Sequence, residues 1–120
     1  MQVLIVEHET ALGQLWQAHL ERQGHQVVLV GAQSTAISAI HMVMPDIIVL
    51  NLVLPRASAL AIADYAAYRA PAARVIFVSN QSFFSDGSIF AHVGNACAFV
   101  PLAVPPEDLC AMVAHYGPTG

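Results

Sequence analysis

Along the chain, short unbroken runs of aliphatic and β-branched residues alternate with stretches in which apolar residues return every three or four positions. The runs are Val3–Val6, Val27–Val30, Ile47–Leu50, Arg74–Val78 and Ala96–Val100. Each is apolar almost throughout instead of alternating with polar residues, the pattern of a strand covered on both faces. Leu12, Leu15, Trp16 and His19 follow the spacing of a helix face, and so do Leu109, Met112, Val113 and Tyr116. The punctuation agrees with this reading. Gly24 closes the first helix, Pro45 the second and Pro71 the third, each ahead of a strand. Pro105 and Pro106 open the last helix, with Glu107 and Asp108 in its first turn, where the helix dipole favours negative charge. The segment Ser85–Val93 is the weakest helix of the series because it contains Gly87, which costs about 1 kcal/mol against alanine.

Strict alternation of strands and helices implies a parallel sheet with right-handed crossovers and helices on both faces. Five strands in 120 residues suit an α/β, flavodoxin-like, doubly wound (βα)5 arrangement with strand order 2-1-3-4-5. The chain then forms one domain over residues 1–116, and residues 117–120 form a flexible, linker-like tail, compatible with a longer parent protein. In such a sheet the functional crevice lies at the carboxyl ends of the strands. That rule selects Glu7, His8, Asn51, Ser79 and the stretch after Phe99.

Composition narrows the function. With 57% apolar and 10% charged residues, the chain must bury its elements efficiently or leave an apolar face for a partner. The basic residues are Arg22, Arg56, Arg69 and Arg74, there is no lysine, and the net charge is -4. No basic stripe exists to follow a phosphate backbone, so nucleic-acid binding by this domain is not expected. No apolar run approaches the roughly 18 residues of a membrane span, and the start of the chain has no cleavable-signal pattern, so the expected compartment is the cytoplasm. Cys97 and Cys110 lack a C-x-x-C or metal spacing and read as reduced, ordinary thiols, with a disulfide-linked dimer as the alternative. The histidines (His8, His19, His25, His41, His92 and His115) form no H-x-x-x-H or similar cluster. No metal site is expected, and Glu7 is at most a weak ligand candidate.

At the crevice positions the chain resembles the response-regulator receiver family of two-component signalling, over nearly its whole length. Val3-Leu4-Ile5-Val6-Glu7-His8-Glu9 resembles the family's first strand and acidic pair. Asp46-Ile47-Ile48-Val49-Leu50-Asn51-Leu52-Val53-Leu54-Pro55 resembles its third strand, and Val75-Ile76-Phe77-Val78-Ser79 its fourth strand with the terminal hydroxyl. Ala98-Phe99-Val100-Pro101-Leu102-Ala103 resembles the fifth strand and the Lys-Pro that follows it. The resemblance also shows what is missing. Asn51 stands where the family places its phosphoacceptor aspartate, and an amide, its nitrogen lone pair delocalised into the carbonyl, cannot form an acyl phosphate. Glu7 matches one Mg²⁺-binding acid, but His8 replaces the other. Leu102 takes the register of the lysine and Ala103 that of the proline. Ser79 keeps the hydroxyl and Phe99 the aromatic of the family's switch pair; plain capping and plain core packing are their ordinary roles.

The losses belong together. Two like charges about 4 Å apart cost on the order of 4 kcal/mol at an effective dielectric of 20, so an acidic site depends on its lysine and metal. Here acid, second metal ligand and lysine are absent as a unit, which implies a degenerate phosphorylation site with Mg²⁺ binding lost or weak and the domain held near one conformation. The expected function is that of a pseudo-receiver: not an enzyme, and a phosphorylation-independent interaction module in a phosphorelay-type pathway, with a signalling protein or a second copy as partner. The alternatives are a phosphoacceptor using a non-standard residue, or a small-ligand sensor using the neutralised crevice. The resemblance further points to the face made by the predicted fourth helix, the fifth strand and the last helix as interface, with Phe83, Phe84, Phe90, Cys97, Leu109 and Met112 as its candidates; aromatics folded inward are the competing reading.

Overall fold

The computed structural model describes residues 1–51, 56–79 and 94–118. Its elements run β1 (Gln2–Val6), α1 (Thr10–Arg22), β2 (Gln26–Val30), α2 (Gln33–Val43), β3 (Ile47–Asn51), α3 (Arg56–Arg69), β4 (Arg74–Ser79), β5 (Ala96–Pro101) and α4 (Pro106–Tyr116). The strands form one parallel sheet in the order β2-β1-β3-β4-β5, as the alternation of the sequence predicts. The expected helix at Ser85–Val93 falls outside the described residues.

The sheet explains why its strands are apolar at every position. Successive side chains of a strand point to opposite faces, and here both faces are covered. Leu4, Val6, Ile48, Leu50, Val75 and Phe77 point to one side, where α2 and α3 add Ala36, Ile40, Ala59, Ile62, Ala63 and Ala66. Val3, Ile5, Ile47, Val49, Ile76 and Val78 point to the other, against Trp16 and Leu20 of α1 and Leu109 and Val113 of α4. Ala59, Ala63 and Ala66 of α3, and Ala70 just past its end, are buried on the α2/α3 side.

One helix face differs from expectation. The buried residues of α1 are Gly13, Trp16 and Leu20, whereas Leu15 is 45% exposed. The stripe turns around a glycine, which carries no hydrophobic signal. A Cβ at Gly13 would lie 2.6 Å from Leu29 Cδ1 and 3.5 Å from Glu7 Cβ, so the missing side chain lets α1 approach β2 and the end of β1.

The terminations follow the sequence more closely. Gly24, at φ 92°, carries the chain out of α1, with its N–H donating to the Glu21 carbonyl at 3.0 Å and that of His25 to Leu20 at 3.3 Å. These two bonds make a Schellman cap. At the start of α2 the Thr35 hydroxyl accepts from the Ala32 N–H at 3.3 Å and donates back to the Ala32 carbonyl at 3.0 Å. Because a side chain at positive φ costs roughly 1–2 kcal/mol, Gly24→Ala should lower unfolding free energy by about 1 kcal/mol, read as a reduced urea midpoint at unchanged slope.

Candidate functional site

Register brings the crevice residues together. Val6 pairs with Leu50 and Asn51 with Val78, so Glu7, Asn51 and Ser79 stand side by side where β1, β3 and β4 end. All three are buried, at 2%, 1% and 1% exposure. The Glu7 N–H still donates to the Val30 carbonyl at 2.9 Å, which holds its backbone in line with the sheet although β1 has ended.

The Glu7 carboxylate is fully enclosed and accepts from two neutral donors. Oε1 receives the Glu9 N–H at 2.9 Å, and Oε2 receives the Asn51 side-chain amide. His8 is half exposed, yet its Nδ1 comes to 3.4 Å from Glu7 Oε1. Adjacent strand residues would diverge; these two approach because the strand stops at Val6. The sequence separately singled out Glu7, His8 and Asn51. The direct amide–carboxylate contact between Asn51 and Glu7 has no sequence signature beyond the strand register.

Ser79 and β5 complete the edge. Ser79 pairs with Pro101 across the ladder, and its carbonyl accepts from the Leu102 N–H at 3.0 Å. Leu102 is partly buried against the α1/α4 side of the core, so its hydrocarbon packs inward. Phe99 stacks on fully buried Phe77, with ring centroids 5.1 Å apart and planes 13° apart.

This donor set does not fit Mg²⁺, which prefers several oxygen ligands in near-octahedral array. Among the described residues one buried carboxylate is present there, both of its oxygens already accept hydrogen bonds, and its neighbours are an amide nitrogen and an imidazole. Among the described residues no group of three metal-ligating side chains exists. Three of the four arginines, Arg22, Arg69 and Arg74, are displaced from the crevice. Arg74 opens β4 at the amino edge of the sheet, and Arg22 and Arg69 close helices that run back to that edge. Asp46 lies there too, accepting the Gln2 N–H at 2.9 Å.

The candidate interface residues do not all behave as expected. Leu109, 1% exposed, is a core residue facing the sheet from α4 and is corrected to that role; helix spacing aims it inward with Val113. Met112 is only partly buried and packs against the rim of the same layer. The β4–β5 ladder passes from Val75–Ala96 to Ile76–Ala98 around Cys97, whose Sγ instead donates to the Val75 carbonyl at 3.5 Å. Phe83, Phe84 and Phe90 lie outside the described residues. Both thiols are free. Burial pushes Cys97 up, with the Arg74 guanidinium partly opposing, and burial aided by Glu107 pushes Cys110 up, which disfavours the reactive thiolates.

No known protein-family model matches the sequence, and no curated protein matches it. Solved structures do. The chain is similar to a CheY-like response regulator receiver domain protein from Methanospirillum hungatei, with a TM-score of 0.85, 19% identity and coverage of 95% of this chain and 90% of that one. It is similar to the signal receiver domain of a putative LuxO repressor protein from Vibrio parahaemolyticus, with a TM-score of 0.83, 23% identity and coverage of 96% and 88%. The non-phosphorylated HemR receiver domain from Leptospira biflexa gives 0.82, 20% identity and coverage of 96% and 92%. At these identities the likeness establishes the fold: this is the receiver-type, flavodoxin-like architecture, five parallel strands in the order 2-1-3-4-5 with four helices among the described residues.

Two substitutions probe the enclosed carboxylate. Asn51→Ala removes the donor to Glu7 Oε2 and should cost about 1–3 kcal/mol, the usual penalty for an orphaned buried acceptor, measured by urea unfolding at neutral pH. Asn51→Asp places a second carboxyl against Glu7. Like charges raise the folded-state affinity of such a pair for a proton, so the folded variant binds protons that its unfolded chain releases. Its stability relative to the wild type should therefore fall as pH rises through that raised value and recover in acid, as urea midpoints from pH 4 to pH 8 would record.

Proposed function

We propose that this domain works in signal transduction as a pseudo-receiver, a phosphorylation-independent interaction module with no catalytic turnover of its own. The observation that carries this reading is the Asn51 amide donating to the buried Glu7 carboxylate. In the phosphoryl chemistry of the resembled family, an acid in the place of Asn51 attacks phosphorus and metal joins it to the neighbouring acids. Here an amide occupies that place and bonds the remaining acid directly. Hydrogen bonding thereby supplies the satisfaction that a cation would otherwise supply.

The other parts of the reading rest on chemistry of the same kind. Mg²⁺ binding is lost or weak because the oxygen ligands are too few. With no developing phosphate charge to draw Ser79 across the crevice, the stacked Phe99 has no driving force to leave Phe77, and the domain stays near one conformation. The partner is a signalling protein or a second copy, met in the cytoplasm. The fold of the structural neighbours supports a place in a two-component or related pathway.

Incubation with acetyl phosphate and Mg²⁺ followed by intact mass analysis tests the reading. The expected spectrum shows the unmodified chain alone. A stoichiometric species heavier by one phosphoryl group, about 80 Da, would overturn it. Asn51→Asp alone should not restore stoichiometric labelling, since lysine and the second acid remain absent.

A further inference from the structure

The amino edge of the sheet, opposite the crevice, carries two adjoining hollows. A cavity of about 620 Å³ lies where the turn after α3 meets the starts of β4 and β5, with Ala72, Arg74, Asn95, Cys97 and Tyr116 in its wall. A second, of about 320 Å³, has Asp46 and His115 in its wall. Ala72, Arg74 and Tyr116 border both, so the two are neighbours across one arginine. Hollows of this size suit a small organic molecule. The His115 ring meets Tyr116 edge-on, with centroids 4.8 Å apart, and braces the shared wall.

The charges in these walls are opposite and held apart. Ile47 pairs with Arg74, and the Arg74 N–H donates to the Asp46 carbonyl at 3.0 Å, which fixes Asp46 and Arg74 on adjacent strands. Their side chains nevertheless do not meet. Asp46 turns Oδ2 to the Gln2 N–H at 2.9 Å, on the β1 side. Arg74 is exposed, and among the described residues no carboxylate comes within ion-pair distance of its guanidinium. Burial raises the Cys97 thiol and the Arg74 guanidinium partly opposes that rise, so the arginine's charge acts on the wall of the larger cavity. Asn95 is fixed in the same wall by its side-chain amide, which donates to the Ala63 carbonyl at 3.1 Å.

These separated charges select the ligand. A lone anion on Arg74 would face the Asp46 carboxylate, and a lone cation at Asp46 would face the guanidinium. A molecule that carries both signs close together satisfies both, and a guanidinium holds a carboxylate through two parallel N–H donors. We propose that these hollows form a binding site for a free α-amino acid, with its carboxylate on Arg74, its ammonium toward Asp46 and its side chain in the larger cavity beside Asn95 and Tyr116. The site uses no crevice residue, so it stands whatever Asn51 does toward phosphate.

Titration of the isotope-labelled chain with each of the common α-amino acids in turn tests the proposal, read by amide shifts and thermal unfolding. At least one should bind saturably and move the amides of Asp46, Arg74, Asn95 and Tyr116 while leaving those of Glu7 and Asn51 in place. It should also raise the unfolding temperature. Its α-hydroxy analogue, which lacks the ammonium, should bind at least about tenfold more weakly, from the loss of one charge-assisted contact. Arg74→Gln and Asp46→Asn should each weaken the amino acid by a similar factor; Asp46→Asn keeps an acceptor for the Gln2 N–H. The proposal is overturned if no amino acid binds, if the shifts centre on Glu7 and Asn51, or if the hydroxy analogue binds equally well. Undiminished binding by either folded variant overturns it too. If a variant fails to fold, the comparison of amino acid with hydroxy analogue on the wild-type chain decides.

Discussion

The crevice is organised by one requirement: a carboxylate is enclosed with no lysine or arginine beside it among the described side chains, and something must replace the water it lost. An ionised group buried without partners is among the most costly features a protein can contain. Glu7 has no arginine or lysine against it among the described side chains, and it is instead surrounded by dipoles. The Asn51 amide serves one oxygen and the Glu9 N–H the other. Gly13 allows the first turns of α1 to press close enough that a Cβ there would touch Glu7. The positive end of that helix dipole adds a favourable field of order 0.3–1 kcal/mol, which Glu7 shares with the exposed N-cap residue Glu9. Backbone, amide and helix terminus share a task that a metal or lysine performs in an ionic site.

This requirement also explains why the departures from an ionic receiver site come as a set. A lysine at Leu102 would have only Glu7 to pair with, across a crevice whose other members are neutral. A second acid at His8 would place like charge beside an enclosed carboxylate. Hydrocarbon at Leu102 instead packs into the α1/α4 side of the core, and imidazole at His8 leans on Glu7 Oε1 while half of it stays in water. Each replacement is the one that leaves a lone carboxylate satisfied.

Much of this was legible in the sequence because the sheet is buried on both faces. Uninterrupted aliphatic runs located all five strands to within a residue or so, the alternation implied a parallel sheet, and the flavodoxin-like arrangement that five strands suit supplied the order. The crevice residues followed from the rule that sites lie at strand ends. What escaped was set by groups with no hydrophobic signature. Gly13 turned the buried face of α1 away from Leu15, and the Asn51–Glu7 contact exists only because β1 and β3 are in register with Val6 opposite Leu50. Leu109 shows the converse error. Its place on α4 made it a surface candidate by family likeness, while its helical spacing with Val113 already marked it as core.

A domain of this kind changes the question of how information passes through it. A ligand shifts a conformational equilibrium only by the difference in its affinity for the two states, and a phosphoryl group has that difference because it draws a hydroxyl and a lysine toward itself. With an amide bonded to the acid and hydrocarbon in the lysine register, no comparable difference between states is expected from the described crevice residues on the proposed reading. On the proposed pseudo-receiver reading, signal content lies in whether the partner is present and how much of it there is. Surfaces, not the crevice, become the sites where sequence change has consequence. In that reading the sheet, with the Asn51–Glu7 contact at its carboxyl edge, is the frame that holds those surfaces.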